Sequence, residues 1–249
     1  MLEVNNISFS YKNSEILSKV SFNMQDGRFY SVIGKNGSGK TTLAKLLANI
    51  MPPKSGNIVF NSKNICQYSA LELAKLRAYA EQEQHLAFDY TVKEVVELSQ
   101  FANKNPNAVK AAVELMQIES FLRRRYTTLS GGEKKRVDIA RCIAQIYSEN
   151  MSGRLLILDE PAANLDPFYS VLIMKAAKSL ADNGAIIFAV MHDINLACQY
   201  SDRVLALKNK SLFFDKAACD VVDKNLLQSL YESQCEIADL NGKKLVFFA

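Results

Sequence analysis

At 249 residues, 49% hydrophobic and 22% charged, the chain has the make-up of a soluble globular protein, one large domain or two small ones, with room for a sizeable core. Its net charge of +4 is too mild to argue for a nucleic-acid partner, and its five scattered cysteines exclude a disulfide framework or a CxxC zinc site, leaving buried or half-buried free thiols. The longest uncharged apolar run, Gly184 to Met191, is too short to span a bilayer, and Glu3, Lys12, Glu15 and Lys19 interrupt the N-terminus where a signal would need apolar residues; a cytosolic chain is expected.

In chain order, Leu2 to Gln25 alternates as β-structure, with Asn5-Asn6 and Lys12-Asn13-Ser14 as turn residues, predicting a small antiparallel sheet. The apolar run Phe29 to Ile33 then enters Gly34-Lys35-Asn36-Gly37-Ser38-Gly39-Lys40-Thr41-Thr42, followed at helical spacing by Leu43, Leu46, Leu47 and Ile50. Strand, glycine-rich loop and helix N-terminus in that order make a polyphosphate cradle. Its backbone amides turn inward, Lys40 reaches the β and γ phosphates, and the Thr41 hydroxyl can join the coordination of Mg²⁺. A chance Gly/Ser loop is the alternative, and the strand–helix context weighs against it.

Met51-Pro52-Pro53 and Gly56 punctuate the chain before a strand at Asn57 to Phe60. Ser69 to Tyr79 reads as a helix with a Ser69/Glu72 capping box, and from Thr91 to about Asn150 the periodicity is helical almost throughout. Two basic clusters there, Arg123-Arg124-Arg125 and Lys134-Lys135-Arg136, read as solvated helix faces. Apolar strands return at Leu155–Leu158, Ala185–Val190, Val204–Leu207 and Leu212–Phe214, with a helix at Tyr169–Leu180. The predicted fold is α/β, a mostly parallel sheet buried on both faces, with an N-terminal antiparallel β subdomain and a helical subdomain inserted at about 84–150.

Leu155 to Pro161, LLILDEP, is a buried strand ending in two carboxylates, which in an open α/β sheet project toward the ligand. Asp159 is placed to bind Mg²⁺ through water, and Glu160 to orient and deprotonate an attacking water. Leu129-Ser130-Gly131-Gly132-Glu133 carries the spacing of a capping box before an amphipathic helix. A capped helix start leaves its two glycines unexplained, since they lower helix propensity. They make sense if an anion approaches the backbone at the positive end of the helix.

LSGGE followed by KKRVDIARCIAQ, with GKNGSGKT and LLILDEP in that order, resembles an ATP-binding cassette (ABC) ATPase, a P-loop NTPase, across essentially the whole chain. The resemblance implies two such cassettes closing head to tail around two ATP, with Ser130, Gly131, Gly132 and Glu133 reaching the γ-phosphate held by the partner. It also implies adenine stacking on Tyr11, with core packing as the other reading. Gln82 matches a glutamine that touches Mg²⁺ and senses the transport partner, although Gln84 leaves the register open. Asp166, in Ala163-Asn164-Leu165-Asp166, would help organise the opposite site, and His192 would hydrogen-bond the γ-phosphate and attacking water. The other histidine, His85, has no motif around it.

The sequence from Phe88, FDYTVKEVVEL, and that from His192, HDINLACQYSDRVLAL, resemble importer ATPases for iron–siderophore, haem and cobalamin. Asn209 stands where that family turns on glycine. The resemblance implies an ATP-hydrolysing importer subunit, peripheral at the cytoplasmic face of the membrane, dimeric, and working with a separate permease and a substrate-binding protein. A soluble cassette of the iron–sulfur assembly type is the alternative. A nucleic-acid-linked cassette lacks support, as coiled-coil insertions and zinc cysteines are missing, and a non-catalytic regulatory module would not need Lys40, Asp159, Glu160 and His192.

Overall fold

The computed structural model describes residues 1–82, 89–102 and 104–248. Gln84 and His85 lie outside the described residues. The elements are β1 (Leu2–Tyr11), β2 (Ser14–Met24), β3 (Arg28–Ile33), α1 (Lys40–Leu47), β4 (Ser55–Phe60), β5 (Lys63–Asn64), α2 (Ala70–Leu76), β6 (Arg77–Ala80), α3 (Val92–Glu97), α4 (Pro106–Met116) and α5 (Gly131–Ile146). There follow β7 (Leu155–Asp159), α6 (Pro167–Asp182), β8 (Ile186–Val190), α7 (Ile194–Tyr200), β9 (Arg203–Lys208), β10 (Ser211–Ala217), α8 (Lys224–Tyr231), β11 (Cys235–Leu240) and β12 (Lys243–Phe248). Among the described residues no helix is long and apolar enough to cross a membrane.

The N-terminal half begins with an antiparallel sheet in the order β2-β1-β4-β5. Leu2 and Val4, then Ile7 and Phe9, are buried on one face of β1; the register slips between Val4 and Ile7. That slip corrects one expectation. Asn5-Asn6 is no turn but a bulge inside a continuous strand, with Asn6 at φ 49°, a conformation asparagine tolerates better than most residues.

The second sheet has the order β10-β9-β3-β8-β7-β6, parallel from β9 to β6, with β10 added antiparallel at one edge. Asn209 makes the β9–β10 turn at φ 50°, as expected of a residue replacing glycine there. Alternate residues of β3 feed opposite cores: Phe29 and Ile33 join α3–α6, whereas Tyr30 and Val32 join α1 and the N-terminal sheet. Because β3 lies between β9 and β8, and β7 follows β8, the carboxyl ends of three adjacent strands open on one rim.

The predicted helix to Tyr79 stops at Leu76, and Arg77–Ala80 pairs as β6 with Leu155–Leu158. Three consecutive buried residues, Ala78, Tyr79 and Ala80, fit a strand covered on both faces rather than a helix stripe. Ile50 lies beyond α1 and is half exposed. Cys142 and Cys235 are buried and Cys198 partly so, but Cys66 and Cys219 are exposed, contrary to expectation. The segment after β10 had no assignment from sequence. It forms α8 and a hairpin whose turn is Asn241-Gly242, a type I′-compatible pair with both φ positive.

The second basic cluster is not a solvated face. Lys135 and Arg136 are 9% and 4% exposed. Arg136 donates to the Met116 and Gln117 carbonyls, and its guanidinium sits 3.9 Å above the Tyr169 ring. Asp138 is buried on the same helix and accepts from the Tyr126 hydroxyl at 2.8 and 3.0 Å. Burial pushes the Asp138 carboxyl up to about 6, against the Tyr126 hydrogen bond that favours its charge. A raised carboxyl binds its proton in the folded state before the unfolded one, so stability falls as pH rises from the ordinary carboxylate range to 6. Asp138→Asn is therefore expected to melt higher than the parent at pH 8, with the gap closing by pH 4.5. Thermal melts across that window check it; a gap independent of pH contradicts it.

Candidate functional site

The phosphate-loop geometry starts from Gly34, at φ 145°, where a Cβ would stand 2.4 Å from the Leu207 carbonyl oxygen of the neighbouring strand. Only glycine lets β3 turn that closely against β9. Lys40 opens α1, is 6% exposed, and donates to the Gly34 and Lys35 carbonyls at 2.8 and 3.1 Å. Burial holds its ammonium below the ordinary lysine range, while Glu160 and Asp159 pull it back up. The loop is braced from behind by the C-terminal segment. Lys35 pairs with Glu232 at 2.6 Å, Lys208 with the same carboxylate at 3.0 Å, and those two lysines hold Glu232 down at about 2.

The two acids at the end of β7 have different surroundings. Asp159 is 1% exposed; its Oδ1 accepts from Thr41 at 3.2 Å and its Oδ2 from the Tyr79 hydroxyl at 3.0 Å. Burial pushes its carboxyl up, and the two hydroxyl donors work against that shift. Glu160 leaves the strand at φ 50°, an uncommon conformation for a non-glycine residue. Its Oε1 lies 2.6 Å from His192 Nε2 and its Oε2 accepts from Gln82 at 2.8 Å. His192 follows β8, the strand between β3 and β7. Two side chains distant in sequence, Gln82 and His192, thus converge on the Glu160 carboxylate.

Gln82, Glu160 and His192 border a cleft of about 490 Å³ together with Asn36, Gly37, Gly39, Lys40, Thr41, Thr42 and Ile16. Tyr11 is not among its lining residues. Its ring stands edge-on to Phe9 at 4.9 Å, and its hydroxyl meets Met51 Sδ at 3.4 Å, with 46% of the residue exposed. Nor do Ser130–Glu133 or Asp166 line it. Ser130 caps α5 in a reciprocal capping box with Glu133, at an exposed helix start. Asp166 caps α6 through the Tyr169 amide at 3.1 Å. Both motifs therefore have a local structural use in addition to any use at a ligand.

Sequence reasoning missed two residues that hold this site. Tyr79 reads only as the end of a predicted helix, yet its hydroxyl is spent on Asp159. Lys135 reads as one of a run of surface cations, yet its ammonium reaches the Asp159 carbonyl. A signal existed: Lys135 lies four and seven residues before Ile139 and Cys142, on the buried stripe of α5.

A family model described as "ABC transporter" matches residues 17–163. The chain belongs to the ABC transporter family. The matched span of this ABC subunit runs from β2 through the phosphate loop to the turn beyond Glu160. It is 35% identical over 251 residues to the "Hemin import ATP-binding protein HmuV" of Ruegeria sp. (strain TM1040), covering 99% of this chain and 96% of the relative. Among solved structures, a metal-chelate type ABC transporter in an inward-facing conformation aligns with TM-score 0.79 at 22% identity, covering 100% of this chain and 96% of its own. A second, cbiO1 of Clostridium perfringens, part of the ABC transporter complex cbiONQ, aligns with TM-score 0.74 at 27% identity over 92% of each chain. The chain is an ATP-binding, ATP-hydrolysing ABC subunit, and the fold expected from its sequence is the one found.

Proposed function

We propose that this ABC subunit powers import of haem or a related metal chelate through a separate membrane permease, working as a head-to-tail dimer around two ATP. The one observation that carries the shared site is the start of α5. A Cβ on Gly131 would meet nothing within 4 Å, and one on Gly132 only the flexible tip of Leu165, at 2.9 Å. Neither glycine has a positive φ, so neither the backbone nor the packing of this chain asks for them. A close approach by something from outside would. Ser130, Gly131, Gly132 and Glu133 would meet the γ-phosphate held by the partner subunit, with Asp166 beside them, and the helical block at about 84–150 would be the subdomain that carries them.

Within one chain, the amides of residues 34–42 and Lys40 bind the β and γ phosphates, and Tyr11 supplies a face for adenine. Mg²⁺ fits the donor set: the Thr41 hydroxyl and the Asp159 carboxylate are hard oxygen ligands already within hydrogen-bond distance of each other, with the Gln82 amide nearby. Bound there, it would neutralise charge on the phosphate oxygens. Glu160 takes the proton of the attacking water, His192 steadies that carboxylate and the γ-phosphate, and Gln82 reports the state of the permease. Positioning and charge neutralisation dominate such a phosphoryl transfer.

The import reading draws on the relative named for hemin import and on the segments that begin at Phe88 and His192. It implies a peripheral subunit at the cytoplasmic face of the membrane, with a substrate-binding protein serving the permease. Affinity purification of the tagged chain from detergent-solubilised membranes tests it. A polytopic membrane protein in stoichiometric amount is expected. Recovery with a soluble iron–sulfur assembly scaffold, and no membrane partner, would favour the alternative.

A further inference from the structure

Lys135 joins the start of α5 to both halves of the hydrolytic carboxylate site. It lies one turn into the helix capped by Ser130 and points inward, 9% exposed. Its ammonium donates to three main-chain carbonyls, those of Glu81 and Gln82 at 3.0 Å each and that of Asp159 at 3.1 Å. An ammonium has three N–H donors, so its hydrogen-bonding capacity is used in full. Among the described residues no carboxylate lies within ion-pairing distance of it; the three carbonyls hold the ammonium, and the carboxylates of Asp138, Asp159 and Glu160 attract it from farther off.

The placement of those carbonyls matters more than their number. The Asp159 carbonyl belongs to the peptide that continues into Glu160, whose backbone is already in the left-handed region. The Glu81 and Gln82 carbonyls fix the backbone from which the Gln82 side chain reaches Glu160 at 2.8 Å. Moving the first turn of α5 therefore moves the group that holds Gln82 and Glu160 together. A buried ammonium costs desolvation that a purely packing role would avoid, since a methionine fills the same length without it.

We propose that Lys135 is a positioning residue for hydrolysis, registering the Gln82 backbone and the Asp159–Glu160 peptide against the helix start that offers Ser130 and Gly132 to the second ATP. In this way, seating of that helix start on the partner's nucleotide is felt at the carboxylate of its own chain. The inference rests on the assignment of Gln82 and Glu160 to the attacking water.

Lys135→Met removes the three donors and keeps the length, and Lys135→Gln keeps two N–H donors. In steady-state ATP hydrolysis by the full chain, Lys135→Met is expected to lose about tenfold or more in kcat with KM for ATP changed less than about threefold, and Lys135→Gln to recover part of the loss. Residues acting as one unit do not contribute independently, so adding Lys135→Met to Gln82→Ala should cost less than about threefold beyond Gln82→Ala alone. Unchanged kcat, a loss confined to KM, or losses that multiply in the double variant would overturn the proposal. Should Lys135→Met fail to fold, judged by its thermal midpoint and its binding of a fluorescent ATP analogue, Lys135→Gln is read by the same criteria. Persistent hydrolysis by Glu160→Gln would instead break the underlying assignment, so the two failures are separable.

Discussion

With Glu160 replaced by glutamine, the chain is expected to bind ATP as the parent does and to turn it over about 10²–10⁴-fold more slowly, the usual worth of a positioned general base. The argument lies in the contacts of the side chain. Glu160 is held by His192 at 2.6 Å and Gln82 at 2.8 Å on the rim of the phosphate-loop cleft. A glutamine keeps the size and can pair with both, so the substitution removes the carboxylate's basicity and little else. Lys40, Thr41 and the loop amides, to which the proposed function assigns ATP affinity, are not altered. Phosphate release under saturating ATP, with nucleotide affinity from a fluorescent analogue, separates the two. Parent-like turnover would take Glu160 out of the reaction.

Gly132→Glu should have an effect of comparable size by a different route. Within the chain the change is mild, because the nearest obstacle is the flexible tip of Leu165 and the backbone is helical. A carboxylate in the first turn of α5 even suits the positive end of that helix. Placed against the γ-phosphate of a partner's ATP, the same carboxylate is a like charge worth several kcal/mol of repulsion, weakening the ATP-bound dimer by about 10²-fold or more. ATP binding by the separate chain should be intact. A variant whose monomer no longer binds ATP would place this helix start in its own nucleotide site instead.

Much of this site was legible because glycine, lysine and paired carboxylates at strand ends carry a local mechanism. Gly34 needs no neighbour's identity to be read as a tight turn, and Asp159 and Glu160 end an apolar run whose burial is plain. The cap at Ser130 was equally readable, since its partner Glu133 lies three residues away. What escaped were residues whose role is set by a surface far off in the chain. Arg77–Ala80 carries too short a pattern to distinguish strand from helix, and only pairing with β7 decides it. Lys135 sits among cations whose default is solvent, and its burial depends on carbonyls of residues about eighty positions apart in the chain brought together by that same pairing. The C-terminal hairpin had a readable turn in Asn241-Gly242 between two six-residue runs, Cys235–Leu240 and Lys243–Phe248, each mostly apolar, so its signal was local.

On the proposed function, one chain holds only half of each hydrolytic site. Sedimentation of the Glu160→Gln chain with ATP and Mg²⁺ tests it most directly. The 27.8 kDa chain should double its mass on adding ATP and stay single with ADP, and Gly132→Glu in the same background should abolish the doubling. A chain that remains single at saturating ATP, while the parent hydrolyses at a rate per molecule independent of protein concentration, would contradict it.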